Sequence, residues 1–295
     1  MIKKLLVLTM TFVSCVMTFA TDMVVKQKNG ETLRFDVKNV EEVIFEESIP
    51  KETATVDTSE TPLKFKILSD STVDVINDDS YRDVLIDTIS IPSKVRIDGK
   101  VYDVTSIGNY AFVRCRSLTN INIPESVTSI GYGTFYDCSG LTSINIPKSV
   151  TSIGESAFAY CSGLTSINIS SSIKNIADST FAECRSLTSI KIPESVTSIG
   201  ESAFSSCSNL ASINIPEGVT NIGENAFSWC GLTSINIPNG ITSIESSTFA
   251  GCRSLTSINI PDSVTYIGYS AFAYCNSLTS INIPEGVTSI GKSVF

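Results

Sequence analysis

The 295-residue chain carries 21 Lys and Arg against 30 Asp and Glu, a formal net charge of −9, and no histidine. The commonest general base and zinc ligand is therefore missing, and any catalysis would rest on carboxylates, lysines, tyrosines or thiols. An acidic chain without a basic run is a poor match for nucleic acid, so no nucleic-acid partner is expected.

The N-terminus, MIKKLLVLTMTFVSCVMTFATD, sets Lys3 and Lys4 before an uncharged stretch from Leu5 to Phe19, with Thr18 and Ala20 as small residues at its end. This reads as a secretory signal peptide over residues 1–20, cut after Ala20, and predicts a cell-surface or secreted protein. The rival is a lipoprotein signal cut before Cys15. Phe12 fits that signal poorly, and apolar Val16 to Phe19 would make an odd tether. No later stretch is apolar enough to span a membrane, so none is expected in the mature chain.

Residues 21–46 alternate apolar and polar side chains on either side of Asn29-Gly30, a strong hairpin signal, with a third strand around Val43 to Phe45. This segment resembles a short N-terminal motif common in exported Bacteroidota proteins. Residues 47–61 are rich in Thr, Ser, Glu and Pro and read as a linker. Residues 62–103 contain the strand-like stretches KFKIL and TVDVI, then SKVRI and KVYDV flanking Asp98-Gly99. They read as an atypical first coil that caps the repeats that follow.

From Val104 a unit of 23 residues recurs eight times in full, with starts at Val127, Val150, Ile173, Val196, Val219, Ile241 and Val264, and once in part from Val287. The unit at Val219 lacks one residue after Cys230. The shared pattern is V-T-x-I-G-x-x-A/T-F-x-x-C-x-x-L-T-S-I-N-I-P. One unit cannot bury its apolar face, but a stack of coils can, with Phe112 and its equivalents as one continuous column. L-T-S-I-N-I reads as a strand with an aliphatic inner face and V-T-S-I as a second, shorter one. The Gly is expected to supply a sharp corner, and A-F-x-x-C a turn or a single helical turn. The ninth unit stops at Phe295, so the chain is expected either to be a shortened form of a longer protein or to associate through its uncapped C-terminal end.

L-x-x-I-x-I-P followed by V-T-x-I-G-x-x-A-F-x-x-C resembles the bacterial leucine-rich repeat of the BspA type, also called the Treponema pallidum type. The resemblance covers residues 104–295, with a family-like cap from about 62. It implies a mainly β leucine-rich-repeat solenoid, a curved right-handed stack, in a surface or secreted protein. It also implies adhesion to host extracellular or microbial surface proteins or glycans, without naming a ligand.

Eight cysteines, from Cys115 to Cys275, take the same place in successive units. Stacked coils would set them about 4.8 Å apart, but in-register parallel side chains do not offer disulfide geometry, so a buried ladder of free thiols is expected. Eight equivalent copies without a histidine do not suggest a nucleophile. With no metal-ligand spacing, phosphate loop or serine triad, no cofactor and no catalytic residue is expected.

Two surfaces are candidates for binding. On the strand, Asn122, Asn145, Asn168, Asn214, Asn236, Asn259 and Asn282 form a row broken by Lys191. An almost uniform face has little with which to discriminate partners, so it reads first as a soluble, aggregation-resistant surface. Beside the A-F-x-x-C turn lie Tyr110, Tyr132, Tyr136, Tyr160, Trp229, Tyr269 and Tyr274, with Arg116, Arg185 and Arg253 just after the cysteine. Tyr, Trp and Arg are the usual interface anchors, although such turns also tolerate almost any residue. A contiguous aromatic and Arg patch would favour a binding module, and a scatter would favour a structural spacer.

Overall fold

The computed structural model describes the strands within residues 4–47, and residues 55–78 and 87–295 in full. The chain divides into two compact units, Met1–Thr53 and Ala54–Phe295. In the first, Asp22–Lys26 pairs antiparallel with Thr32–Asp36, and Val40–Glu47, which includes the expected third strand, runs parallel to Lys4–Met10. The expected cleavage point after Ala20 and the Asn29-Gly30 turn lie outside the described residues.

The second unit begins with two hairpins. Lys64–Ile67 pairs with Thr72–Ile76, and Lys94–Ile97 with Lys100–Ile107. Asp98 and Gly99 both take positive φ, at 50° and 79°, as the two-residue turn of a right-twisted hairpin requires. Val56–Asp57, within the stretch read as linker, pairs in parallel with Val95–Arg96. Thr72–Ile76 and Thr88–Ser90 then open two parallel ladders that the repeats extend, the first through Lys100–Ile107 and the second through Asn120–Asn122.

Within the repeats, equivalent residues pair in register. The V-T-S-I strands join as Ile107, Ile130 and Ile153, and the S-I-N strands as Ser143–Asn145 with Ser166–Asn168 and Ser234–Asn236 with Ser257–Asn259. Lys191 bridges Asn168 and Asn214 in the same parallel sense. The Ile of each repeat strand from Lys100–Ile107 to Tyr266–Ile267 points inward and is buried, except Ile258, which is half-buried, and Ile290 of the last short strand is exposed. At the centre the phenylalanines stack ring on ring from Phe112 to Phe272, with centroids 5.2 Å apart at Phe135–Phe158 and 5.8 Å at Phe227–Phe249.

A-F-x-x-C is not a helical turn. In the unit at Val104, Ala111 N donates to Gly108 O, Val113 N to Tyr110 O and Cys115 N to Phe112 O. Tyr110 and Arg114 have φ of 57° and 62°. A left-handed residue at the third position of an i to i+3 turn is the type II arrangement, so the corner is two such turns in tandem. The intervening N–H groups reach the next coil, as Phe112 N does to Thr134 O at 2.8 Å. Every backbone donor along Tyr110–Cys115 is thereby used, which offsets about 1–3 kcal/mol of strain at each left-handed residue.

The repeat glycine does not supply the corner, contrary to the expectation above. Gly99, Gly133 and Gly251 are the glycines with positive φ among the described residues, and Gly131, Gly154, Gly200, Gly223, Gly268 and Gly291 are not among them. What these six provide is close approach. A Cβ on Gly154 would sit 2.6 Å from Gly131 C and Tyr132 N of the preceding coil, and Gly223, Gly268 and Gly291 meet the same backbone obstacle. Each of the six donates its N–H to the isoleucine carbonyl one coil back, as Gly154 does to Ile130 O at 2.9 Å.

Two units carry a side chain at this place, Ala177 and Glu245. There the ladder breaks. Among the described residues neither Ala177 nor Glu245 makes that backbone bond, and the short-strand sheet divides between Ile153 and Asn175 and between Ile222 and Ser243. Both units also carry a buried Thr, Thr180 or Thr248, whose hydroxyl donates to the carbonyl of Ala177 at 2.7 Å or Glu245 at 2.8 Å.

Among the described residues the eight thiols from Cys115 to Cys275 form no disulfide, and all are buried. From Cys138 onward each Sγ donates to a phenylalanine carbonyl of the preceding coil, 3.0 Å from Phe112 O for Cys138 and 3.1 Å from Phe135 O for Cys161. Burial pushes Cys161 and Cys252 up to about 12 and Cys275 to about 11.

Gly154→Ala is expected to lower stability by about 1–3 kcal/mol through overpacking, read as a lower denaturant midpoint. Ala177→Gly is expected to join the first two blocks of the ladder, read as slower amide exchange at position 177. The thiols give a third expectation. Because burial raises the folded pKa above the ordinary 9.0, the neutral thiol favours the fold. That contribution is complete below about pH 9 and is lost as the pH rises through about 12. At pH 8 a thiol reagent should label the eight cysteines only in denaturant; labelling of the native chain, or disulfides between coils, would refute this.

Candidate functional site

The expected strand-face row is present and exposed, with Asn122, Asn145, Asn168, Asn214, Asn236, Asn259 and Asn282 all at the surface. Its amides bond along the row: Asn168 Nδ2 donates to Asn145 Oδ1 at 3.0 Å, and Asn122 Nδ2 to Ser90 Oγ at 3.4 Å. Asn282 lies outside any strand. The row is a regular polar lattice partly satisfied by itself.

The turn edge is different. Tandem turns hold the residue just before the cysteine in the left-handed region, with φ of 62° at Tyr160, 58° at Trp229 and 60° at Tyr274, so these side chains project from the coil. Tyr136 is half-buried against Tyr160, ring centroids 5.1 Å apart, and Tyr110 meets Tyr132 edge to face at 5.0 Å. Tyr110, Val113, Arg114, Tyr132 and Tyr136 line an open hollow of about 310 Å3. Desolvation, reinforced by Tyr160 and Asp137, pushes the Tyr136 phenol above its usual range; a hydrogen bond with Tyr132 does so at Tyr110.

Further along the same edge Trp229 and Tyr274 stack across the intervening coil, with centroids 6.2 Å apart and planes 25° apart. The guanidinium of Arg253 lies 5.1 Å over the Trp229 ring. The other two arginines after the cysteine are neutralised. Arg116 pairs with Asp137, its Nε 3.1 Å from Oδ2, and Arg185 pairs with Glu183 at 2.8 Å.

Sequence reading brought the aromatics and arginines to one edge but missed the residues that shape it. Gly133 and Gly251 lie beneath rings: an added Cβ would meet Tyr110 Cε1 at 2.7 Å or Trp229 Cδ2 at 2.5 Å. The available signal was a glycine outside the repeat's usual glycine position. Arg114, at the hollow, carried no such signal. Among the described residues no group of three or more ligating side chains could hold a metal, and no helix is long and apolar enough to cross a membrane.

Short parallel strands stacked at a 23-residue period around a phenylalanine column define a leucine-rich-repeat solenoid. The model of the BspA type leucine rich repeat region matches residues 74–211 and 174–295, and the chain belongs to that family. Among solved structures it is similar to a T. pallidum leucine rich repeat protein, at 28% identity and TM-score 0.50, over 74% of this chain and 88% of that one. It is also similar to a leucine rich cell surface protein from Faecalibacterium prausnitzii, at 28% identity and TM-score 0.47, over 79% and 86% of the two chains. A search of curated proteins returned no match.

The Tyr136 environment has a direct check. Burial and the neighbouring phenol both disfavour the phenolate, so an alkaline ultraviolet titration should contain a late-titrating phenol that Tyr136→Phe removes. If the lost amplitude falls instead among the phenols that titrate in the usual range, Tyr136 lies in water.

Proposed function

We propose that the chain is a non-catalytic binding and adhesion protein, exported to the cell surface or secreted, that recognises host or microbial proteins or glycans through its turn edge. The observation that carries this reading is the clustering of the exposed aromatics. Tyr110 with Tyr132, Tyr136 with Tyr160, and Trp229 with Tyr274 and Arg253 are contacting groups, not isolated side chains. A spacer has no need of exposed Trp and Tyr, whose apolar rings cost solubility. Repetition helps such a surface, because several weak contacts on one rigid edge combine into useful affinity. The leader-like N-terminus supports export, and the family membership supports a repeat surface as the binding element.

The experiment is a binding panel of matrix proteins, mucins and glycans probed with the exported chain. Saturable binding to at least one member is expected. Tyr160→Ser combined with Trp229→Ser should weaken it by about tenfold or more, while Asn145→Ala combined with Asn168→Ala should change it by less than about threefold. A blank panel, or loss only through the Asn pair, refutes the turn edge as the recognition surface.

A further inference from the structure

The geometry points to a specific ligand subsite at Trp229, Gly251, Arg253 and Tyr274: a platform for an acidic saccharide, one pyranose ring lying on the aromatics and its carboxylate or sulfate meeting Arg253. This rests on the binding reading above and gives it a ligand class. Three observations converge.

The first is that the platform needs a glycine. The position before the cysteine carries Arg114, Asp137, Tyr160, Glu183, Ser206, Trp229 and Tyr274 in other units, all with positive φ, so the backbone there accepts a side chain. Only Gly251 lacks one, and a Cβ at that place would stand 2.5 Å from the Trp229 ring. The indole therefore lies over the bare backbone of the next coil and reaches Tyr274 two coils away. Trp229 also falls in the one shortened unit.

The second is the charge. Of the arginines that follow the cysteine, Arg116 has Asp137 and Arg185 has Glu183. At Arg253 the equivalent neighbours are Gly251 and Tyr274, and among the described residues no carboxylate pairs with it. Its guanidinium is held over the indole instead, an arrangement that leaves its five donors free for an anion. In a chain of net charge −9, an unneutralised guanidinium on an aromatic platform selects for negative charge locally.

The third is the surroundings. Between residues 102 and 289 every exposed large apolar side chain is Tyr or Trp and none is aliphatic. Trp229 is 45% and Tyr274 67% exposed, and Ser254, Asn276 and Ser277, which follow in the chain, are exposed polar residues. A protein hot spot needs a well-packed surround that excludes water. A pyranose does not: its C–H face covers a ring while its hydroxyls stay in a polar rim. The amphipathic platform matches that division.

Trp229 is the only tryptophan in the chain, so the site reports on itself. The full chain would be titrated with 3′-sialyllactose and a chondroitin sulfate hexasaccharide, and with lactose and maltohexaose as neutral counterparts, reading indole fluorescence. A saturable change with at least one acidic saccharide is expected, with the neutral sugars weaker by about tenfold or more. Arg253→Gln should abolish the preference for acid while keeping the indole. Gly251→Ala should weaken acidic binding by about tenfold by displacing the ring, and Asn145→Ala, on the strand face, should leave it unchanged. Circular dichroism and the thermal midpoint establish that each variant is folded. No response to any saccharide, equal response to neutral and acidic ones, full retention in folded Arg253→Gln, or saturation by an acidic peptide alone overturns the site. If the indole is silent while the panel above still shows binding, this site falls and the binding reading stands; if both are blank, both fall.

Discussion

The spacing between successive coils, about 4.8 Å as in any parallel sheet, is the constraint on which the rest depends. It is imposed by backbone hydrogen bonds between successive coils, joining residues such as Phe112 and Thr134 in the tandem turns and Gly131 and Ile107 beside the short strands. Once coils are that close, each side chain lies on its own copy. Phenylalanines must stack flat, thiols must find a carbonyl in the coil below, and a residue facing the neighbouring backbone must have no side chain. The apolar interior supplies the driving force, and the backbone spacing decides which residue types can exploit it.

The interruptions follow from the same spacing. Ala177 and Glu245 put a Cβ where the preceding coil's backbone would stand, and the short-strand ladder stops at both. The phenylalanine column runs on through each break, with Phe158–Phe181 at 5.6 Å and Phe227–Phe249 at 5.8 Å. Core packing and edge pairing are thus separable: a unit can lose the ladder on one side and stay in register through its centre. In a solenoid, where stability is a sum of local and nearest-neighbour contributions, such a break weakens one interface without unfolding its neighbours.

Variation between units is concentrated where the spacing constrains least. The interior and the strand face must repeat, so they carry little information about a partner. The turn edge faces water, and its left-handed residues accept Arg, Asp, Tyr, Glu, Ser or Trp without disturbing the ladder. Side chains vary there without breaking the ladder, and this is where the chain places most of its exposed aromatics and Arg253.

The period, the inward Leu, Ile, Val and Phe, the strand positions and the buried row of thiols were determined by the sequence itself, because each is a property of a pattern repeated every 23 residues. The Asp98-Gly99 hairpin was equally legible, since two positive φ values are a local demand. What only the tertiary structure decided lies between coils. The repeat glycine looked like a corner residue and proved to be a contact residue, because the atoms that exclude its Cβ belong to a coil 23 residues away. Val56–Asp57 looked like linker and joined the cap through a strand about 40 positions later. Arg116, Arg185 and Arg253 were indistinguishable in one dimension; stacking gave the first two a carboxylate and the third an indole, made accessible by the absence of a side chain at Gly251.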